Sequence, residues 1–141
     1  MAGVVAKAGR SVVSVQTQLG GSVSRSAAGT GVVLTSDGEI LTNAHVVEGA
    51  TSITVTLPGE ARARQANLVG ADSAADLALL RIPNISGLTP ADLGDSSALI
   101  VGADVVAIGN ALAPRGGPTV TRGIVSALDR TLDAGAETMT G

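Results

Sequence analysis

Gly29-Thr30-Gly31-Val32-Val33-Leu34-Thr35, Ser36-Asp37-Gly38 and Glu39-Ile40-Leu41-Thr42 follow one another and lead directly into Asn43-Ala44-His45-Val46-Val47. Aliphatic and β-branched residues on both sides of a short polar segment ending in glycine predict two strands joined by a turn. His45, the only histidine in the 141 residues, falls where the returning strand ends and a short apolar turn, Ala44 to Val47, begins. A side chain at a strand end can be held rigidly and still meet solvent. Imidazole is the group whose unperturbed proton affinity suits transfer near neutral pH, and a buried carboxylate is its usual orienting partner. Asp76, opening Asp76-Leu77-Ala78-Leu79-Leu80, is one candidate, and Asp72 is the alternative. By itself an aspartate at a strand start reads as a turn cap.

Outward from this hairpin the chain reads as all-β. Ser11 to Gln18 is a strand, and Gly20 to Ala28 is small and polar, a loop. Ser52-Ile53-Thr54-Val55-Thr56-Leu57 alternates apolar and hydroxyl residues, as a strand with one buried face requires. Ala61 to Val69 and Leu77 to Ile82 complete six strands, enough to close a barrel without unpaired edges. Met1 to Ala8 has apolar residues at helical spacing, with Gly9 as a stop.

Pro83 to Thr89 is a linker. Beyond it, Asp104 to Gly109 and Thr119 to Leu128 read as strands, the second with a bulge at Gly123, around a long exposed loop from Asn110 to Pro118. Asp129 to Gly141 reads as a flexible tail. The expected organisation is therefore a helical segment at 1–10, a first β-barrel at 11–82, a linker at 83–98, and an incomplete second barrel with a tail at 99–141.

Composition narrows the function. Phe, Tyr, Trp and Cys are all absent, so the core is filled by Val, Leu, Ile and Ala, and disulfides and thiolate metal sites are excluded. A net charge of −3 and the lack of aromatic stacking platforms both disfavour nucleic-acid binding. No apolar run reaches the roughly 18 residues of a membrane span. Metal binding is weakly supported, because His45 has no second histidine or cysteine to join it.

Six short blocks, in order, resemble the trypsin-like serine proteases, most closely the HtrA (DegP-like) branch. They are Gly29-Thr30-Gly31-Val32-Val33, Leu41 to Val47, Asp76-Leu77-Ala78-Leu79-Leu80, Leu93-Gly94-Asp95-Ser96, Val106-Ala107-Ile108-Gly109-Asn110 and Val120-Thr121-Arg122-Gly123-Ile124-Val125-Ser126. The resemblance implies a trypsin-like double β-barrel, its first six-stranded barrel complete and its second truncated. It implies that His45 is the general base and Asp76 its orienting carboxylate, in a serine endopeptidase that cleaves unfolded or misfolded proteins without a cofactor. It also implies the bacterial envelope, periplasmic or extracytoplasmic, with any membrane tether in a segment outside these residues. Homo-oligomers are common in the family, yet its trimers use aromatic contacts that this chain lacks.

The family nucleophile sits in a Gly-Asn-Ser-Gly-Gly segment, which is expected in a C-terminal half that these residues do not include. Gly94-Asp95-Ser96 imitates part of such a segment, but Ser97-Ala98 follow where two glycines are needed for the oxyanion-hole turn. Ser96 therefore reads as a turn or capping residue, and the chain alone is expected to be inactive. The rival expectation is a non-catalytic pseudoprotease barrel that binds or regulates a partner protein.

Overall fold

Period-two alternation sorts the aliphatic residues to one side of each strand. In the computed structural model, which describes residues 2–21, 25–110, 118–134 and 137–140, Ile53, Val55 and Leu57 are buried while the hydroxyl residues between them are half-exposed. These belong to β4 (Ala50–Thr56) and its continuation. With β1 (Val12–Leu19), β2 (Arg25–Val33), β3 (Glu39–Thr42), β5 (Ala63–Asp72) and β6 (Leu77–Arg81), it closes an antiparallel barrel in the order β1-β2-β3-β6-β5-β4. β4 pairs back onto β1, Ser14 opposite Thr56, so the barrel has no free edge.

Val13, Val15, Val33, Ile40, Val55 and Leu80 fill the interior. Each buried side chain of this size contributes about 1.5–3 kcal/mol of transfer free energy. The β2–β3 turn is closed by Gly38 at φ +111°, where a Cβ would also collide with the carbonyl oxygen of Ile82. The Thr35 hydroxyl accepts from the Glu39 N–H at 3.1 Å and donates to Asp37 at 2.6 Å, fixing the same turn.

Because β3 pairs with β6 rather than with β4, the end of β3 and the start of β6 lie side by side, Thr42 opposite Ala78. That pairing brings together the segments carrying His45 and Asp76. Between β3 and β4 the chain makes one helical turn, α2 (Ala44–Val47), at the place the sequence predicts a short apolar turn.

After the barrel, the linker is tied back by Leu88 N–H to the Ser36 carbonyl (3.1 Å) and Ala91 N–H to the Val33 carbonyl (2.9 Å). β7 (Asp104–Gly109) and β8 (Thr119–Ile124) form a separate two-stranded sheet. The N-terminal helix α1 (Ala2–Ala8) has no buried residue, and its Lys7 meets Asp92 of the linker at 2.6 Å. Among the described residues no helix is long and apolar enough to cross a membrane.

Four local expectations are corrected. Residues 25–28 belong to β2, because Arg25 to Ala28 ladder onto Leu19 to Gln16 through their backbones without needing an apolar pattern. The bulge expected at Gly123 is absent: the glycine pairs with Val105 in an unbroken register. β8 ends at Ile124, four residues before Leu128. The expected tail contains β9 (Thr131–Ala134) and β10 (Glu137–Thr140), a two-stranded ribbon. Low apolar content pointed to a tail, yet a ribbon carries its own backbone ladder, and Thr131, Thr138 and Thr140 favour extended backbone. The long loop expected after Asn110 lies largely outside the described residues, at 111–117.

Candidate active site

α2 is too short to be stable by itself, and the barrel holds it at three places. Beneath it, Ala44, Val46 and Val47 are buried on the barrel. Gly29 of β2 lies so close that a Cβ there would sit 2.6 and 2.8 Å from the two methyl groups of Val46. At the far end, the buried Thr17 hydroxyl donates to the Val46 carbonyl at 3.1 Å, satisfying one of the carbonyls a helix leaves unpaired.

The third hold comes from another strand. Asn43 occupies the N-cap position of α2, yet its side chain makes no capping bond. Instead the His45 N–H, two residues into the turn, donates to Asp76 Oδ1 at 3.0 Å. Asp76 thus caps α2 from across the β3–β6 pairing, a job usually done by the N-cap residue itself.

The same carboxylate faces the imidazole ring. His45 Nδ1 lies 2.8 Å from Asp76 Oδ2 and 3.0 Å from Oδ1. An ionised carboxylate only accepts hydrogen bonds, so this contact places the ring proton on Nδ1 and leaves Nε2 with a free lone pair. The His45 side chain is 69% exposed and that of Asp76 only 13%, so the orienting group is sheltered while the ring is open to a reactant.

Asp76 is held ionised. The His45 backbone N–H, first among the causes, together with the ring of His45 and the amide of Asn43, keeps its carboxyl below the ordinary value of 3.8 against partial desolvation. Its backbone is in the left-handed region at φ +51°, which aspartate tolerates better than most residues but which still needs support. Asn43 provides it: its Nδ2 donates to the Asp76 carbonyl at 3.1 Å and to Oδ2 at 3.2 Å. Sequence reasoning missed Asn43. Its place two residues before the histidine was the only signal, and there an asparagine looks like a local cap.

The competing carboxylate is elsewhere engaged: Asp72 Oδ1 accepts from the Ala75 N–H at 3.1 Å and caps its own turn. Ser96 lies in an exposed 3-10 turn (Ser96–Ala98) whose N-cap is Asp95, bonded to Ser97 N–H at 2.9 Å and Ser97 Oγ at 2.6 Å. Among the described residues no hydroxyl bonds to the His45 ring, and no group of three or more His, Cys, Asp or Glu could hold a metal ion. Below the site, the Thr42 hydroxyl donates to the Thr30 carbonyl (2.8 Å), and the Thr30 hydroxyl accepts from the Asn110 N–H (2.9 Å), joining the end of β7 to the barrel.

A carboxylate-oriented imidazole at a barrel rim is the arrangement of a proton-transfer dyad, and residues 29–140 match the trypsin-like peptidase domain. The chain belongs to the trypsin-like peptidase domain family. It is 43% identical to serine protease PepD of Mycobacterium tuberculosis over 95% of the chain, and 49% identical to periplasmic serine endoprotease DegP of Escherichia coli over 74%. The alignments cover 30% and 22% of those two proteins, so the chain spans less than a third of their length. The HtrA-type protease AlgW, solved with a tripeptide, superposes with a TM-score of 0.83 at 36% identity, covering 96% of this chain and 42% of AlgW. The HtrA likeness thus takes in both the closed barrel and the β7–β8 sheet, the expected trypsin-like architecture.

Proposed function

We propose that the chain supplies the base half of an HtrA-like serine endopeptidase: His45 is the general base and Asp76 its orienting carboxylate. The observation that carries the reading is the two-oxygen contact of Asp76 on Nδ1, with Nε2 left free on an exposed ring. In the reaction, a serine hydroxyl gives its proton to Nε2 as its oxygen attacks the peptide carbonyl. Nε2 then returns that proton to the leaving amine, and Asp76 stays ionised throughout, stabilising the imidazolium.

The nucleophile and its oxyanion donors come from outside these 141 residues, because no serine here has the glycine surroundings that an oxyanion-hole turn requires. By itself the polypeptide is inactive. Its substrates are unfolded or misfolded polypeptides, its partner is the C-terminal half of the protease domain, and it works in the bacterial envelope. Similarity to DegP, named as a periplasmic endoprotease, and to a peptide-bound AlgW supports this.

The test joins the chain to the C-terminal half of the PepD protease domain and follows casein hydrolysis. The joined protein cleaves casein, and His45→Ala lowers the rate by about 10⁴-fold or more. Hydrolysis that survives His45→Ala would defeat the assignment. Casein cleavage by the isolated chain, lost on His45→Ala, would defeat the claim that the nucleophile lies elsewhere. A folded joined protein with no activity would favour a non-catalytic binding module.

A further inference from the structure

We propose that Asn43 is the positioning residue of the His45–Asp76 pair: its amide grips Asp76 at both the backbone carbonyl and Oδ2, fixing the carboxylate against the imidazole. The functional meaning of this role rests on the catalytic reading of the pair given above. The geometry is independent of that reading.

Three observations converge. The first is a forgone task. Asparagine is among the best N-cap residues, but the Asn43 side chain leaves the α2 N–H groups alone, and the His45 N–H is taken by Asp76. With its oxygen not committed to a cap, the Asn43 amide is free to turn its NH2 group toward Asp76. The second is its two-point grip. Nδ2 has two hydrogens, and its two acceptors, the carbonyl at 3.1 Å and Oδ2 at 3.2 Å, belong to one residue. A donor bridging backbone and side chain of the same residue fixes the torsions between them. Asp76 needs that restraint, since its φ of +51° is a conformation most residues avoid.

The third is the oxygen chosen. Oδ2 makes the shortest contact with His45 Nδ1, at 2.8 Å, while Oδ1 is also committed to the His45 backbone N–H. With donors on both oxygens the carboxylate cannot rotate without breaking one of them. Loss of the Asn43 donor would leave Oδ2 held by the ring alone, and the ring is the mobile, exposed partner. The His45 N–H bond to Oδ1 and the Asn43 bond to Oδ2 also favour the ionised form of Asp76, which keeps it an acceptor for Nδ1–H.

The test uses the full chain, in which the sole histidine gives one set of ring ¹⁵N signals and the Asp76 carboxyl can be followed by ¹³C titration. Two variants are compared with the wild type, after far-UV circular dichroism shows that they fold. Asn43→Ala removes the donor. Asn43→Asp keeps the size and the N-cap preference but places an acceptor against Oδ2. The Asp76 titration midpoint rises from wild type to Asn43→Ala and again to Asn43→Asp, and the Nδ1–H population of His45 falls in the same order. A merely structural asparagine would not produce that order. An Asp76 midpoint and a His45 tautomer unchanged in folded Asn43→Asp would overturn the positioning role, even if His45→Ala abolishes hydrolysis by the joined protein. If both signals move as stated while hydrolysis survives His45→Ala, positioning stands and the catalytic reading falls.

Discussion

Replacing Gly29 by alanine tests whether the barrel wall sets the height of the His45 turn. Gly29 has no positive φ, so backbone preference alone would make alanine stabilising by about 0.4–1 kcal/mol. Packing opposes this. The new Cβ would lie 2.6 Å from one Val46 methyl, 2.8 Å from the other and 3.3 Å from the Val46 Cβ. Since both branches are too near, turning the valine about χ1 does not clear the clash, and α2 must lift. Restoring a 3.4 Å contact from 2.6 Å demands a movement of about 0.8 Å. Movement of that size along the His45 N–H to Asp76 bond, now 3.0 Å, takes it beyond hydrogen-bonding range. Overpacking of this kind costs about 1–3 kcal/mol, a fall in Tm of roughly 3–10 °C for a domain of this size. Far-UV circular dichroism measures the melting, and the His45 ring ¹⁵N spectrum reports loss of the Nδ1–H tautomer. Val46→Ala removes both offending methyls, so the double variant recovers at least about 1 kcal/mol relative to the sum of the singles. A Gly29→Ala protein that melts at or above the wild-type temperature, or strictly additive costs in the double variant, would refute the reasoning.

Asp76→Asn keeps the shape and tolerates φ +51°, but one of its atoms now donates. With its oxygen held by the His45 N–H, its amide donates to Nδ1 and moves the ring proton to Nε2. The joined enzyme should lose about 10⁴ in kcat, and an unchanged ring ¹⁵N spectrum would contradict the account. Stability should also depend on pH through this residue. Because the folded Asp76 carboxyl lies below its ordinary value of 3.8, its contribution is complete above that pH and is lost as pH falls through the lower folded value. Urea midpoints for wild type and Asp76→Asn should therefore converge on acidification below about pH 4; a gap of constant size would count against it. Thr17→Val leaves the Val46 carbonyl without its buried donor and should cost about 1–2 kcal/mol in urea unfolding. No measurable loss would mean that α2 is not held from that side.

The strands were legible wherever alternation was strict, as at Ile53, Val55 and Leu57, because one buried face leaves a period of two in the sequence. The place of His45 at a strand end was equally plain. Strand order was not legible, since the β3–β6 pairing depends on how the sheet closes rather than on any local pattern. Asp76 and Asp72 each suit a turn, and only the pairing decides which one meets the ring. Asn43 was hidden for a related reason: its type fits a local cap, and its actual acceptors are 33 residues away. Gly29 read simply as part of a strand, although what requires it is a valine on another element. The β9–β10 ribbon escaped because backbone pairing needs no apolar residues.

Asp76 caps α2 from a segment made 31 residues after the histidine, and this has a consequence for biosynthesis. A chain emerging from the ribosome exposes the imidazole well before its anchor has been translated, and during that interval the turn lacks its cap, although β1 and β2 beneath it have already been made. The imidazole becomes oriented only when the sixth strand docks beside the third. The aim of the ring is therefore set by closure of the barrel, and an immature or partly unfolded polypeptide carries a histidine that nothing orients.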